Sequence, residues 1–241
     1  DGLAVVMVDH QSASASEIVA GALKDYNRAI IIGTSNTHGK GTVQTLLNLD
    51  ELTDRLTDGL GVIKITQAQF YRVNGESTQL RGVVPDIQLP DPSAYIESGE
   101  SALDRPIPWD AIAPAKYTPW QGHTFNIKSL KEKSEERVKN DTALTLVDQR
   151  VAVLKRQVDN SVYSLSLKQW QARRKADDAA LKALQMPEDS ETLFTAEPSL
   201  YAGDYSDSER KTLKEWSKAI QTDPWINEAL NVMGDMVVQT R

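Results

Sequence analysis

Val5-Val6-Met7-Val8-Asp9-His10-Gln11-Ser12-Ala13-Ser14-Ala15-Ser16-Glu17 runs into Ile18-Val19-Ala20-Gly21-Ala22-Leu23-Lys24-Asp25-Tyr26, and Arg28-Ala29-Ile30-Ile31-Ile32-Gly33 follows. The opening run is short, apolar and rich in β-branched residues, as a buried strand requires. Residues 4–8 are therefore read as one strand and 28–33 as another. Between them Ser16 to Tyr26 carries Ile18, Val19, Ala22, Leu23 and Tyr26 at helical spacing, with Gly21 the one weak helix former. Strand, helix and strand within about 30 residues make a βαβ unit, whose strands run parallel through a right-handed crossover. The fold class is α/β.

Further strands are expected at about 42–49 and 62–72, then an Asn74-Gly75 turn and the segment Gly82-Val83-Val84-Pro85-Asp86-Ile87. From Pro90 the composition becomes proline-rich, with Trp109 and Trp120 as aromatic anchors. This reads as an irregular connector packed on something, not a free linker. Past residue 125 the chain turns charged and helical. Val147, Val151, Leu154 and Val158 form one apolar stripe. Ser166 to Gln169 and Ser206 to Glu209 have capping-box spacing, Asp223-Pro224 places a cap before a first-turn proline, and 186–205 reads as a polar loop. The expected organisation is 1–90, an α/β core; 91–125, the connector; and 126–241, an α-helical domain.

Composition narrows the function. The chain has 241 residues, 40% of them apolar and 25% charged, the balance of a globular protein. A net charge of −7 argues against nucleic acid as a partner. No apolar run is long enough to span a membrane. There is no cysteine, which removes disulfides and thiol catalysis, and the three histidines (His10, His38, His123) lack metal-ligand spacing. Neither a metal nor another cofactor is expected. A buried strand beginning at residue 4, with no initiator Met or signal pattern before it, suggests that the chain starts at a cut.

The serine-rich junction between first strand and first helix carries the chemistry. A helix N-terminus offers unpaired N–H groups and the positive end of a dipole, which favour an oxyanion. A serine there can attack a carbonyl while neighbouring amides stabilise the tetrahedral intermediate. The spacing Ser14-Ala15-Ser16-Glu17 is also a capping box, which needs no chemistry, and spacing does not choose among Ser12, Ser14 and Ser16. The base can come from Lys40, in His38-Gly39-Lys40-Gly41-Thr42. That loop follows the second strand of the βαβ unit, so it emerges on the same side of the sheet as the serines. At an ordinary pKa of about 10.4, roughly one lysine in 2,500 is neutral at pH 7, so such a base needs burial. An exposed loop lysine is the plain alternative. Gly33 to Thr42 also approaches a phosphate-binding loop, but five residues separate Gly33 from Gly39 where four are required. Gly41 also replaces the magnesium-binding Ser or Thr.

Six motifs then occur in order: Ser12 to Glu17, Asp25-Tyr26, Gly39 to Gln44, Phe70-Tyr71-Arg72-Val73-Asn74-Gly75, Gly82 to Ile87, and Pro108-Trp109-Asp110. Together they resemble the tail-specific (carboxy-terminal processing) proteases of the bacterial cell envelope, strongly over residues 1–120 and more weakly through the helical region. The resemblance implies the second half of a crotonase-like (ClpP-like) protease core followed by an α-helical C-terminal domain. It implies Ser14 as nucleophile, Lys40 as general base, Gln44 orienting the lysine, and the Ala15 N–H as an oxyanion donor. Asp25 matches an acidic residue important in relatives and equally suits a helix-end ion pair.

The implied activity is a serine endopeptidase acting through an acyl-enzyme on polypeptides with apolar C-termini, in the periplasm or elsewhere in the envelope. A substrate-binding PDZ domain and the first half of the core would precede residue 1, so the isolated chain is expected to be inactive. The alternative is a non-catalytic scaffold that keeps the fold. Two departures bear on the base: His38 stands where the family usually has Phe, and the loop from Gly33 to Lys40 is one residue longer. Four residues of straight strand would also set Gln44 about 13 Å from Lys40, so the chain must turn for the two to meet.

Overall fold

A computed structural model of the chain describes residues 2–52, 59–185, 192–197 and 205–240. Its strands are β1 (Val5–Val8), β2 (Ile30–Gly33), β3 (Thr42–Asn48), β4 (Val62–Gln69) and β5 (Ile87–Gln88). Its α-helices are α1 (Ala15–Asp25), α2 (Ile127–Asn140), α3 (Thr142–Asp159), α4 (Leu167–Lys182), α5 (Asp207–Gln221) and α6 (Pro224–Gln239). The architecture is mixed α/β with a parallel sheet. A three-stranded sheet has the order β1-β2-β5, and β3 and β4 form a separate antiparallel ribbon. All four residues of β2 are buried, as expected of a strand covered on both faces.

The chain divides into two compact units. One comprises Val8–Pro85 and Glu97–Gly122, the other Asp1–Met7, Asp86–Ile96 and His123–Arg241. In the first, α1 packs on β2, and the face it buries is Glu17, Ala20 and Gly21. The bulkier Ile18 and Val19 are about half exposed, at 48% and 57%. Helical spacing thus located the helix but not its inner face. At Gly21 the Arg72 side chain lies alongside, 3.4 Å from where a Cβ would stand, an ordinary contact distance. The β3–β4 ribbon leaves Val43, Leu46, Val62, Ile63 and Ile65 exposed, and its register slips at a bulge between Val43 and Gln44.

From Glu97 to Gly122 the proline-rich stretch is strapped down inside this unit. Trp109 Nε1 donates to the Ser77 carbonyl at 2.9 Å while Arg81 stacks on its ring at 3.6 Å. The Trp120 N–H donates to the Tyr26 carbonyl at 2.8 Å, and Arg28 lies over that ring at 4.8 Å.

The second unit packs α2 on α6 and α3, and α3 on α4 and α6, around Leu130, Leu144, Val147, Val232 and Met236. The apolar stripe of α3 buries Val147 and leaves Val158 59% exposed near the helix end. Arg137 on α2 grips Glu228 and Asp235 on α6, each at 2.8 Å, and Lys133 reaches Asp235 at 2.9 Å. The capping box at Ser206 forms, with its N–H donating to Glu209, and Asp223 caps α6 with Pro224 in the first turn. At Ser166 the expected box is absent: the serine makes no cap bond, and Gln169 instead accepts from the Ser164 hydroxyl at 2.6 Å. The expected polar loop at 186–205 lies mostly outside the described residues. No helix among the described residues is long and apolar enough to cross a membrane.

Candidate active site

The chain leaves β1, makes a tight turn and enters α1 at the serines. Asp9 organises that turn, its Oδ1 accepting the N–H groups of Gln11 and Ser12 at 2.9 and 3.0 Å. Ser14 then takes φ 56° and ψ −112°, a conformation an L-residue adopts only under constraint. Strain of this kind costs about 1–3 kcal/mol and persists only where the surroundings over-determine it. The constraint is visible in the amides. The Ser14 N–H donates to Glu17 Oε2 at 2.8 Å. The Ser16 N–H goes to Ala13, and those of Glu17 and Ile18 both go to the Ser14 carbonyl. Of the amides from 14 to 18, that of Ala15 alone has no acceptor among the described residues. The Ser14 hydroxyl makes no cap hydrogen bond, although Ser14 and Glu17 stand in the capping-box arrangement.

Glu17 is the residue local spacing undervalued. It is fully buried, and besides the Ser14 amide its carboxylate accepts three groups from the loop after β2. These are the Thr37 hydroxyl at 2.6 Å and the Gly39 N–H at 2.7 Å on Oε1, and the Lys40 N–H at 2.9 Å on Oε2. A buried carboxylate is tolerated because its lone pairs are all met by donors. The same two segments are joined again where the His38 N–H donates to the Ser12 carbonyl at 2.9 Å. Since the Ser14 and Lys40 amides share one oxygen, their nitrogens lie within about 6 Å of each other.

The backbone around Lys40 is pinned nearly atom by atom. The Gly39 carbonyl accepts from Leu80 at 2.8 Å, the Gly41 N–H donates to Gln79 Oε1 at 2.9 Å, and the Gly41 carbonyl accepts from Phe70 at 3.0 Å. Both glycines are required: Gly39 has φ +87°, and a Cβ on Gly41 would lie 2.7 Å from Ser77 Oγ. Lys40 itself is half-buried, and its amine has no hydrogen-bond or ion-pair partner among the described residues.

The other residues implied by resemblance sit elsewhere. Asp25 closes α1, and over ten residues of rise it lies about 15 Å from the start of the helix. It is 7% exposed and makes a two-pronged ion pair with Arg72, whose Nε donates to Asp25 Oδ2 at 2.8 Å while Nη2 pairs with Oδ1. Gln44 is exposed on β3 immediately after the bulge and has no hydrogen bond to Lys40. The structure therefore brings the Ser14, Ala15 and Lys40 backbones together, places Asp25 at the far end of α1, and shows no hydrogen bond between Gln44 and Lys40 among the described residues. Glu17 and Gln79 were missed as site residues. Only the S-x-x-E spacing offered a signal, and it marked Glu17 as a local cap. Among the described residues no cluster of three or more His, Cys, Asp or Glu side chains is placed to hold a metal ion.

Residues 1–89 match the model of peptidase family S41, and residues 93–238 match that of the C-terminal domain of tail specific protease. Over 181 residues the chain is 40% identical to a tail-specific protease of Haemophilus influenzae, an alignment covering 74% of this chain and 26% of that protein. A carboxy-terminal-processing protease of Bartonella bacilliformis is 44% identical over 105 residues, 41% of this chain and 22% of the relative. A chloroplastic C-terminal processing peptidase of Tetradesmus obliquus is 44% identical over 85 residues, 35% and 16% respectively. The chain thus spans 26% or less of the length of these relatives.

Proposed function

The chain belongs to the tail-specific proteases of peptidase family S41, and we propose that in the whole protein Ser14 is the nucleophile and Lys40 its general base. The observation that carries this reading is the single Glu17 oxygen on which the Ser14 and Lys40 amides converge. The neutral Lys40 amine takes the Ser14 proton as Oγ attacks the scissile carbonyl. The Ala15 N–H, free of any other acceptor, receives the developing oxyanion. The ammonium then protonates the departing amine, leaving an acyl-enzyme on Ser14. Water attacks that ester with Lys40 again as base, and serine is regenerated.

Gln44 is assigned to orienting the lysine, supported by the bulge that re-aims its side chain at the start of the ribbon. Asp25 is assigned to holding the end of α1 through Arg72.

The substrates are polypeptides recognised through apolar C-terminal tails, and the location is the periplasm or another part of the envelope. The names of the bacterial relatives support the first assignment as far as processing at C-terminal tails, and the second rests on the family resemblance. Cell fractionation that found the protein only in the cytoplasm would remove the second. Activity is assigned to the whole protein, and the 241-residue chain alone is expected to be inactive. Robust cleavage by the isolated chain would overturn that.

The deciding experiment is cleavage of a peptide with an apolar C-terminus by the whole protein, wild type against Ser14→Ala and Lys40→Ala. Loss of turnover in both variants, with folding intact, is the expected result. Activity surviving in both would leave the motif as a helix cap on a scaffold.

A further inference from the structure

Glu17 holds the base loop on the N-terminal side of Lys40. On its other side the corresponding anchor is Gln79, a residue far along the chain and 0% exposed. Its Oε1 accepts the Gly41 N–H at 2.9 Å. Its Nε2 donates to Glu100 Oε1 at 3.1 Å and to the Ile107 carbonyl at 3.1 Å. With both amide protons facing acceptors the group cannot turn over, so its oxygen must face Gly41. Its own backbone N–H is tied to Ser77 Oγ at 3.1 Å, which fixes the base of the side chain. The fit against the loop is tight enough that a Cβ at position 41 would lie 3.1 Å from Gln79 Cβ.

Glu100 extends the chain of contacts back to the loop. Its N–H donates to the His38 carbonyl at 2.9 Å, and its Oε2 lies 3.8 Å from His38 Nε2. Residues on both flanks of Lys40 are therefore anchored to the Gln79–Glu100 pair.

We propose that Gln79 is a positioning residue for Lys40, acting through the Lys40–Gly41 peptide, with Glu100 holding the Gln79 amide in the orientation that presents its oxygen. By accepting the Gly41 N–H it sets the plane of that peptide, and so the direction in which the lysine side chain leaves the backbone toward Ser14. Without it a buried N–H has no partner, and the loop must twist to find one. The inference rests on the Ser14–Lys40 reading above.

The test uses the whole protein with Gln79→Met, Glu100→Ala and Glu100→Gln, beside Ser14→Ala. The readouts are kcat, KM, the pH at which kcat/KM half-rises, and the melting temperature. Gln79→Met should lower kcat by about 10- to 100-fold with KM changed less than about twofold, because a base displaced by about 1 Å loses that much. The half-rise of the pH profile should move with it. Glu100→Ala should show the same pattern more weakly, and Glu100→Gln, which still offers an oxygen to Gln79, should restore wild-type kinetics. If Gln79→Met does not fold, the two Glu100 variants carry the comparison. Folded Gln79→Met, or Glu100→Ala in its place, with kcat and pH profile within about twofold of wild type would overturn the proposal. So would a loss of kcat that tracks melting temperature alone and leaves the pH profile in place. Cleavage surviving in Ser14→Ala would instead sink the underlying nucleophile assignment.

Discussion

The backbone amides of Ser14 and Lys40 donate to the same oxygen, Glu17 Oε2, at 2.8 and 2.9 Å. One segment comes from the turn before α1 and the other from the loop after β2, and the carboxylate is buried between them. Serine and lysine are thus registered to each other through main-chain atoms, leaving both side chains free of the contact.

Glu17→Gln keeps the shape but turns an NH2 group toward donors that need an acceptor. We expect a loss of about 2–4 kcal/mol, because several buried N–H and O–H groups lose their partners together. Denaturant unfolding should show a lower midpoint at unchanged slope, and cleavage by the whole protein should fall even where the variant is folded. Stability equal to wild type would contradict the clamp.

Breaking the Asp25–Arg72 pair from one side leaves a charge that is largely out of water without its main partner, Arg72 keeping Glu76 at 3.8 Å. Asp25→Ala or Arg72→Leu alone should cost about 3–5 kcal/mol, and the double variant markedly less than the two together. If Asp25 serves through this pair, the double variant should regain cleavage that Asp25→Ala loses. Activity that stays lost in a stable double variant would place Asp25 in the chemistry itself.

Burial separates residues that sequence treats alike. Ile32 on β2 is 0% exposed and Val19 on α1 is 57% exposed. Ile32→Ala should cost about 2–5 kcal/mol through the cavity it leaves. Val19→Ser should stay within about 0.5 kcal/mol of wild type, read from the same unfolding curves.

The helical unit should be acid-sensitive at Asp235. Burial works to raise that carboxyl, but hydrogen bonds from Lys133 and Arg137 outweigh it and hold the group below the ordinary aspartate value. A depressed carboxyl contributes stability that is present above its unfolded value of about 3.9 and is lost as pH falls through the folded value. Between about pH 5 and pH 2, wild type should therefore lose more stability than Asp235→Asn, measured as the difference between their unfolding midpoints. Parallel curves for the two proteins would refute this.

Much of the local architecture was legible in the residues themselves. The β-branched runs at 4–8 and 28–33, the helix between them, the Asn74-Gly75 turn and the caps at Ser206 and Asp223 all form. Each depends on propensities and hydrogen bonds within a few residues, which periodicity and spacing encode directly. The ordered motifs likewise marked the family before any coordinates, because both the residue types and their sequence persist along the chain. Ser14 and Lys40 were named on that ground.

Tertiary structure decided what holds them. Glu17 looked like a cap because its nearest partner is three residues away, whereas its other acceptor bonds reach across 20 to 23 residues and leave no local pattern. Gln79 meets Gly41 across 38 residues and Arg72 meets Asp25 across 47. The inner face of α1 was hidden for the same reason, since it is the fold that buries Glu17, Ala20 and Gly21, the last beside Arg72, and leaves Ile18 and Val19 exposed. Polar contacts between distant segments depend on where the fold brings backbone amides to lie, and neither composition nor periodicity carries that position.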